Sequence, residues 1–129
     1  MLDAVSAEGP TWATRNTQVL RFFGPILVIT GVLGFVVPAR LALMSGATAY
    51  NVFHLLAGAV ALAIVARGST AAAATFNLVF GCIDLYQALA GLTGLFPAQL
   101  FALRPADHVV HVIIGLFLAG VGYLGKRSA

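Results

Sequence analysis

Four long runs of apolar residues alternate with short polar or charged stretches along the chain. Each run approaches the ~20 residues that an α-helix needs to cross a hydrocarbon core about 30 Å thick. Transmembrane β-strands would instead give segments of about ten residues with alternating polarity, and the sequence has no such pattern. It therefore predicts an all-α polytopic membrane protein. The expected transmembrane helices are 20–37, 47–66, 72–96 and 106–124.

The connections between these runs are short, so consecutive helices should be neighbours. This favours an up-down four-helix bundle that occupies residues 19–125. Residues 1–18 are expected to form a polar cytoplasmic tail, and residues 126–129 a basic C-terminal tail. The first residues carry acidic side chains and no apolar run follows at once, so they do not resemble a secretory signal peptide.

The second and fourth runs share one motif. Asn51, His54 and Gly58 in the second run have the spacing of His108, His111 and Gly115 in the fourth. Two copies of a two-helix unit would form parallel hairpin repeats, related by an axis along the membrane normal. The second and fourth helices then lie diagonally. We expect the two histidines to face each other, roughly 9–10 Å from the outer end of each helix.

Composition supports a membrane location. The chain is 60% hydrophobic and 9% charged, whereas a soluble domain is about 25% charged. So few charges would leave large apolar patches exposed to water. The seven basic residues form no patch with interleaved aromatic side chains, which argues against nucleic-acid binding. The single cysteine, Cys82, excludes an intrachain disulfide and any multi-cysteine zinc site.

Basic residues are distributed unequally between the two sides of the predicted bundle. The side that carries both termini and the middle connection holds five basic residues, whereas Arg40 and Arg104 lie on the opposite side. The positive-inside rule therefore predicts that both termini are cytoplasmic. The five residues on the termini side are Arg15, Arg21, Arg67, Lys126 and Arg127.

A carboxylate in the third run is the first candidate for chemistry. Asp84 lies near its middle, where a charge costs about 3 kcal/mol even on insertion scales. Polar and small residues share its helix face at spacings of three and four, and this stripe should point inward. Asp84 could be a proton relay, an ion site or a partner for a histidine, or a hydrogen-bonded side chain that fixes helix register. The intramembrane polar candidates are Asn51, Asn77, Asp84 and Gln87.

The histidines admit several interpretations. In the first, His54 and His111 form hydrogen bonds across the bundle, while Gly58 and Gly115 let the backbones approach. In the second, the two histidines are the axial ligands of a b-type haem. Their glycines would make space for the ring.

A third interpretation is a metal or proton site in the fourth helix. It would combine His108 and His111, three residues apart, with a carboxylate from Asp107 or Asp84. A metal site normally needs three or four protein ligands. Asp107, which follows Pro105, could instead cap the start of the fourth helix.

These motifs resemble a family of small bacterial integral membrane proteins catalogued as a domain of unknown function. A fainter similarity links the chain to DoxX-like four-helix proteins, some of them oxidoreductase partners. The resemblance implies a four-helix fold in the bacterial cytoplasmic membrane. The matching positions are Asn51, His54 and Gly58; Gly81, Asp84 and Tyr86; and Asp107, His111 and Gly115.

The sequence contains no motif of a conventional hydrolase, kinase or thiol redox enzyme. The favoured hypothesis is a non-enzymatic accessory or assembly subunit of a larger membrane complex. Its partners would be the lipid bilayer and another membrane protein or further copies of the chain. The alternatives are a haem b electron-transfer module ligated by His54 and His111, and a proton- or ion-coupled carrier that uses Asp84.

Overall fold

A computed structural model describes residues 9–128 of the chain. This part contains four α-helices, a 3₁₀ turn at Ala39–Leu41 and no β-strand. Each helix is long and apolar enough to cross a membrane, as the hydrophobic pattern predicts. The helices are α1 (Trp12–Val36), α2 (Thr48–Arg67), α3 (Thr70–Thr93) and α4 (Pro105–Arg127).

Helix α1 begins eight residues before the predicted boundary, so much of the expected polar tail is helical. Thr11 caps this helix, because its hydroxyl accepts a hydrogen bond from the Thr14 amide. The Arg15 guanidinium lies 4.6 Å from the Trp12 ring centroid, a cation–π contact that stabilises the first turn. Residues 1–8 of the predicted tail lie outside the described part of the chain.

Glycines end two of the helices. Gly68 and Gly94 follow α2 and α3 with φ of +70° and +76°, a left-handed conformation that glycine adopts without steric cost. Ser69 then caps α3 by accepting a hydrogen bond from the Ala72 amide. Because Gly68 ends α2 and Ser69 caps α3, α3 can follow α2 after only two residues.

The helices pack mainly as two hairpins. Helix α1 lies along α2, and α3 lies along α4, while the hairpins contact each other chiefly through α1. The glycines Gly81 and Gly122 bring α3 and α4 together, since a β-carbon on either would overlap backbone of the neighbouring helix. An aromatic and aliphatic core fills the centre of the bundle. Its buried members are Phe23, Leu27, Phe80 and Leu118.

Hydrogen bonds identify the two ends of the bundle. The Asn16 side chain donates to the Val121 carbonyl, which brings the start of α1 to the end of α4. We call this the termini end. At the opposite side, the loop end, the Arg104 guanidinium donates to the Ala42 carbonyl at 2.6 Å. The α1–α2 and α3–α4 connections therefore meet at the loop end.

Candidate functional site

A buried group of polar side chains near the loop end is the candidate site. Its centre is Tyr50, which is 1% exposed. The Tyr50 hydroxyl lies 2.7 Å from Nε2 of His111, and the Tyr50 ring centroid lies 4.3 Å from that of His54. Tyr50 thus contacts both histidines of the repeated motif. We call Tyr50, His54 and His111, together with Asp107, the loop-end cluster.

Asp107 joins the cluster to both loops. Its Oδ2 accepts hydrogen bonds from the Arg104 amide at 2.8 Å and the Ser45 amide at 2.9 Å. The first bond caps α4, as expected of an acidic residue in a first turn that begins with proline. The second reaches the other loop, and the Ser45 hydroxyl also donates to the Phe101 carbonyl. Asp107 therefore caps α4, as predicted, and also connects the two loops.

The cluster retains free hydrogen-bonding capacity. Several buried side-chain atoms have no hydrogen-bond partner within residues 9–128, and such atoms could bind a proton or a water molecule. Near the loop end they are Nδ1 of His54, Nδ1 of His108, Nδ1 of His111, Oδ1 of Asp107 and Oε1 of Gln87.

The polar stripe predicted to point inward on α3 is buried, but its residues lie at different depths and contact different parts of the bundle. Asn77 donates to Oδ1 of Asn16 at 2.9 Å, in a network near the termini end. Gln87 lies six residues before the end of α3, at about the depth of His54 and His111. Asp84 is one turn deeper and 5% exposed. No hydrogen bond to its carboxylate occurs in the described part of the chain. Asn51, also buried, donates to the Gly46 carbonyl.

His108 lies apart from the other two histidines. Its imidazole occupies the space beside Gly91 of α3, where a β-carbon would overlap it. Between residues 9 and 128, no three His, Cys, Asp or Glu side chains are grouped so that they could hold a metal ion. The structure therefore does not support the metal-site interpretation of Asp107, His108 and His111.

The surroundings of His54 and His111 do not fit a bis-histidine haem. An axial ligand needs a free imidazole nitrogen, and in His111 the Tyr50 hydroxyl is hydrogen-bonded to Nε2, which leaves only Nδ1. The Tyr50 ring contacts both imidazoles, and Phe101 packs against Tyr50 at a centroid distance of 5.2 Å. A porphyrin ligated through Nε2 of His111 would have to displace the Tyr50 hydroxyl. Two large cavities, of about 640 and 460 Å³, lie elsewhere and include neither histidine.

Three polar contacts of the structure were not predicted. Tyr50 precedes His54 by one helical turn and so shares its helix face. That spacing could have identified it. Asn16 lay within the predicted tail and Ser45 within a predicted loop, where nothing in the local pattern indicates a buried partner.

Comparisons of the chain with models of protein families, with curated proteins and with solved structures found no match.

Proposed function

We propose that the chain is a small integral membrane protein that acts as a non-enzymatic accessory or assembly subunit of a larger membrane complex. The observation that carries this proposal is an uncovered ridge of small residues on α2. Ala59, Ala63 and Ala66 follow helical spacing and are all exposed. Small residues at such spacing let a second transmembrane helix approach closely, which is a major source of helix association in lipid.

The position of α2 within the bundle supports this role. Helix α2 packs along α1, touches α3 slightly and does not pack along α4. Its outer side therefore faces outward over much of its length, with Val52 and Leu56 beside the alanine ridge. A helix from a partner protein could cover this side without disturbing the polar cluster within the bundle.

The proposal includes an up-down topology built from two parallel hairpin repeats. Gly34 of α1 packs on the Asn51 side chain, and Gly91 of α3 packs on the His108 side chain. Both members of the first pair are 57 positions before their counterparts in the second. Equivalent contacts at equivalent positions support descent of both hairpins from one unit.

The proposal also places the protein in a bacterial cytoplasmic membrane, with both termini in the cytoplasm. The termini end carries Arg15, Arg21, Arg67, Lys126 and Arg127 in the sequence. An excess of Lys and Arg at one end favours its retention in the cytoplasm. The loop-end cluster would then lie toward the outer leaflet.

Co-purification from native membranes tests the accessory role. The tagged full chain, solubilised in a mild detergent after brief cross-linking, is expected to isolate with one partner in fixed stoichiometry. Ala63→Trp should disrupt the interface and lower the recovery of that partner at least fivefold. Leu116→Trp, at an exposed position of α4, is the matched control and should leave recovery unchanged. A monodisperse protein that has no partner and shows a measurable turnover would contradict the proposal.

Asp84 supports a second candidate function, a proton- or ion-coupled carrier. It is a buried carboxylate in mid-helix, it makes no hydrogen bond among the described residues, and Gln87 with a free Oε1 lies one turn away. Ionisable residues inside a membrane protein commonly mark an ion pathway. In liposomes that contain a pH-sensitive dye, Asp84→Asn should abolish proton flux driven by an imposed potential. Flux that persists in this variant, or is absent from the wild type, would exclude this function.

A further inference from the structure

Two apolar grooves separate the hairpins along the sides of the bundle. Groove A, between α2 and α3, has a volume of about 640 Å³ and is lined in part by Leu56, Val60, Ile64, Thr75 and Val79. Groove B, between α1 and α4, has about 460 Å³ and is lined in part by Gln18, Phe22, Ile113 and Phe117. Groove A lies where the hairpins contact each other least, because α2 and α3 touch only slightly.

The length of groove A matches one leaflet of a bilayer. Its lining begins at Ile64 and Ala71, near the termini end, and reaches Phe53 and Ile83. The eleven residue-to-residue steps from Ile64 to Phe53 span about 16 Å along α2. This is close to half of a hydrocarbon core of about 30 Å. An acyl chain from the leaflet at the termini end could therefore lie along the groove for most of its length.

Two cations stand at the mouth of groove A. Arg67 is the last residue of α2 and is exposed, one helical turn beyond the lining residue Ile64. Lys126 extends from α4 to the lining residue Thr75, where Nζ lies 2.9 Å from Oγ1. Basic side chains at this level of a membrane attract anionic headgroups. The apolar groove and its cationic mouth together have the chemistry of an anionic phospholipid.

We propose that groove A binds one acyl chain of an anionic phospholipid, with the headgroup phosphate between Arg67 and Lys126. The bound lipid fills the space left by the slight contact between α2 and α3 and joins the two hairpins on that side. The inference rests on the membrane location given under the proposed function, and it adds a specific ligand to it.

Groove B supplies a natural control because its lining positions correspond to those of groove A. Phe117 is 57 positions after Val60, and Gln18 is 57 positions before Thr75. Leu124 stands at the position equivalent to Arg67. The same substitution can therefore be made in both grooves, and the position in α4 equivalent to Arg67 carries no charge.

Native mass spectrometry of the purified full chain tests the site. The protein, in detergent with equal amounts of phosphatidylglycerol and phosphatidylcholine, should retain phosphatidylglycerol preferentially. Arg67→Gln with Lys126→Gln should weaken its binding roughly 30-fold, the equivalent of about 2 kcal/mol. Arg40→Gln with Arg127→Gln removes the same net charge and should retain the preference.

A second pair of variants tests the groove itself. Val60→Trp, at a position 53% exposed along the groove, should block the acyl chain and lower retention of phosphatidylglycerol. Phe117→Trp should not. The proposal would be overturned if the wild type retained both lipids equally, or if the two charge variants or the two tryptophan variants lost equal amounts of phosphatidylglycerol. It would also be overturned if a second copy of the chain bound in place of lipid. Carbonate extraction distinguishes failure of the lipid site from failure of the proposed function. A chain that carbonate releases from membranes is not an integral membrane protein, and this would contradict the proposed function.

Discussion

Tyr50 connects two helices whose backbones do not approach each other closely. It belongs to α2, its hydroxyl is hydrogen-bonded to His111 of α4, and the backbones of those helices stay apart in the described part of the chain. The contact thus crosses the bundle through the tyrosine side chain. In an apolar interior, such a bond fixes the relative depth of two helices, because a shift by one turn would leave both polar atoms without partners.

The first prediction concerns this hydroxyl. Tyr50→Phe should lower stability in detergent by about 1–2 kcal/mol, since it leaves Nε2 of His111 buried without a partner. Thermal unfolding followed by circular dichroism measures the change. Tyr123→Phe is the matched control because that tyrosine is 56% exposed, and its effect should stay within about 0.5 kcal/mol. Equal stability of the two variants would show that the Tyr50–His111 bond does not hold the helices.

Asp107 gives a second prediction at the residue scale. Asp107→Ala removes the acceptor of two backbone amides, one in each loop, and should cost about 1–3 kcal/mol. Asp107→Asn keeps one side-chain oxygen that can accept these bonds, and should cost less. Hydrogen exchange at the Ser45 and Arg104 amides provides a local measurement. Protection that is unchanged in the alanine variant would contradict the capping role.

Residue types and spacing allowed part of the site to be predicted. His54, His111, Asp84 and Gln87 are polar residues in apolar runs, and helical spacing places them on inward faces, where the structure finds them buried. The link through Ser45 could not be predicted. It depends on how two irregular loops meet, and no periodic pattern specifies that.

At the scale of elements, glycines set the distances between helices. Gly81 and Gly122 lie where α3 and α4 approach most closely, and each contacts main-chain atoms of the other helix. Close backbone approach increases the van der Waals contact on which helix association in lipid depends. The hairpin of α3 and α4 therefore requires small residues at specific positions.

Alanine substitution tests this requirement. Gly81→Ala should force α3 and α4 apart and lower stability by about 1–3 kcal/mol. Gly120→Ala on the same hairpin is the control, because a β-carbon there has nothing within 4 Å. Denaturation in mixed micelles compares the two. A Gly120 variant as unstable as the Gly81 variant would contradict this account, because alanine favours a helix more than glycine does and a β-carbon at Gly120 meets no neighbour.

Helix boundaries were less predictable than helix number. Hydrophobicity marks where the bilayer begins, but a helix continues into polar sequence when caps and hydrogen bonds satisfy its end. Thr11 does this for α1, because its hydroxyl accepts a hydrogen bond from the Thr14 amide, and α1 extends beyond the predicted span. Gly94 ends α3 earlier than predicted, because its left-handed conformation stops the helix before the apolar run is over.

At the scale of the whole molecule, the two ends of the bundle have different characters. The termini end carries most of the basic side chains, together with the Asn16–Asn77 network. The loop end carries the buried cluster of Tyr50, His54, Asp107 and His111. Four apolar runs were enough to predict the helices, while their packing as two hairpins joined mainly through α1 required the structure.

Cysteine accessibility tests most directly whether this chain spans a membrane four times with its termini on one side. In a Cys82→Ser background, single cysteines are introduced by Ala39→Cys, Thr70→Cys, Leu100→Cys and Ser128→Cys, and intact cells receive a membrane-impermeant maleimide. We predict that positions 39 and 100 are labelled in intact cells, whereas positions 70 and 128 are labelled only after permeabilisation. Labelling of positions 70 and 100 from the same side would contradict the four-span arrangement.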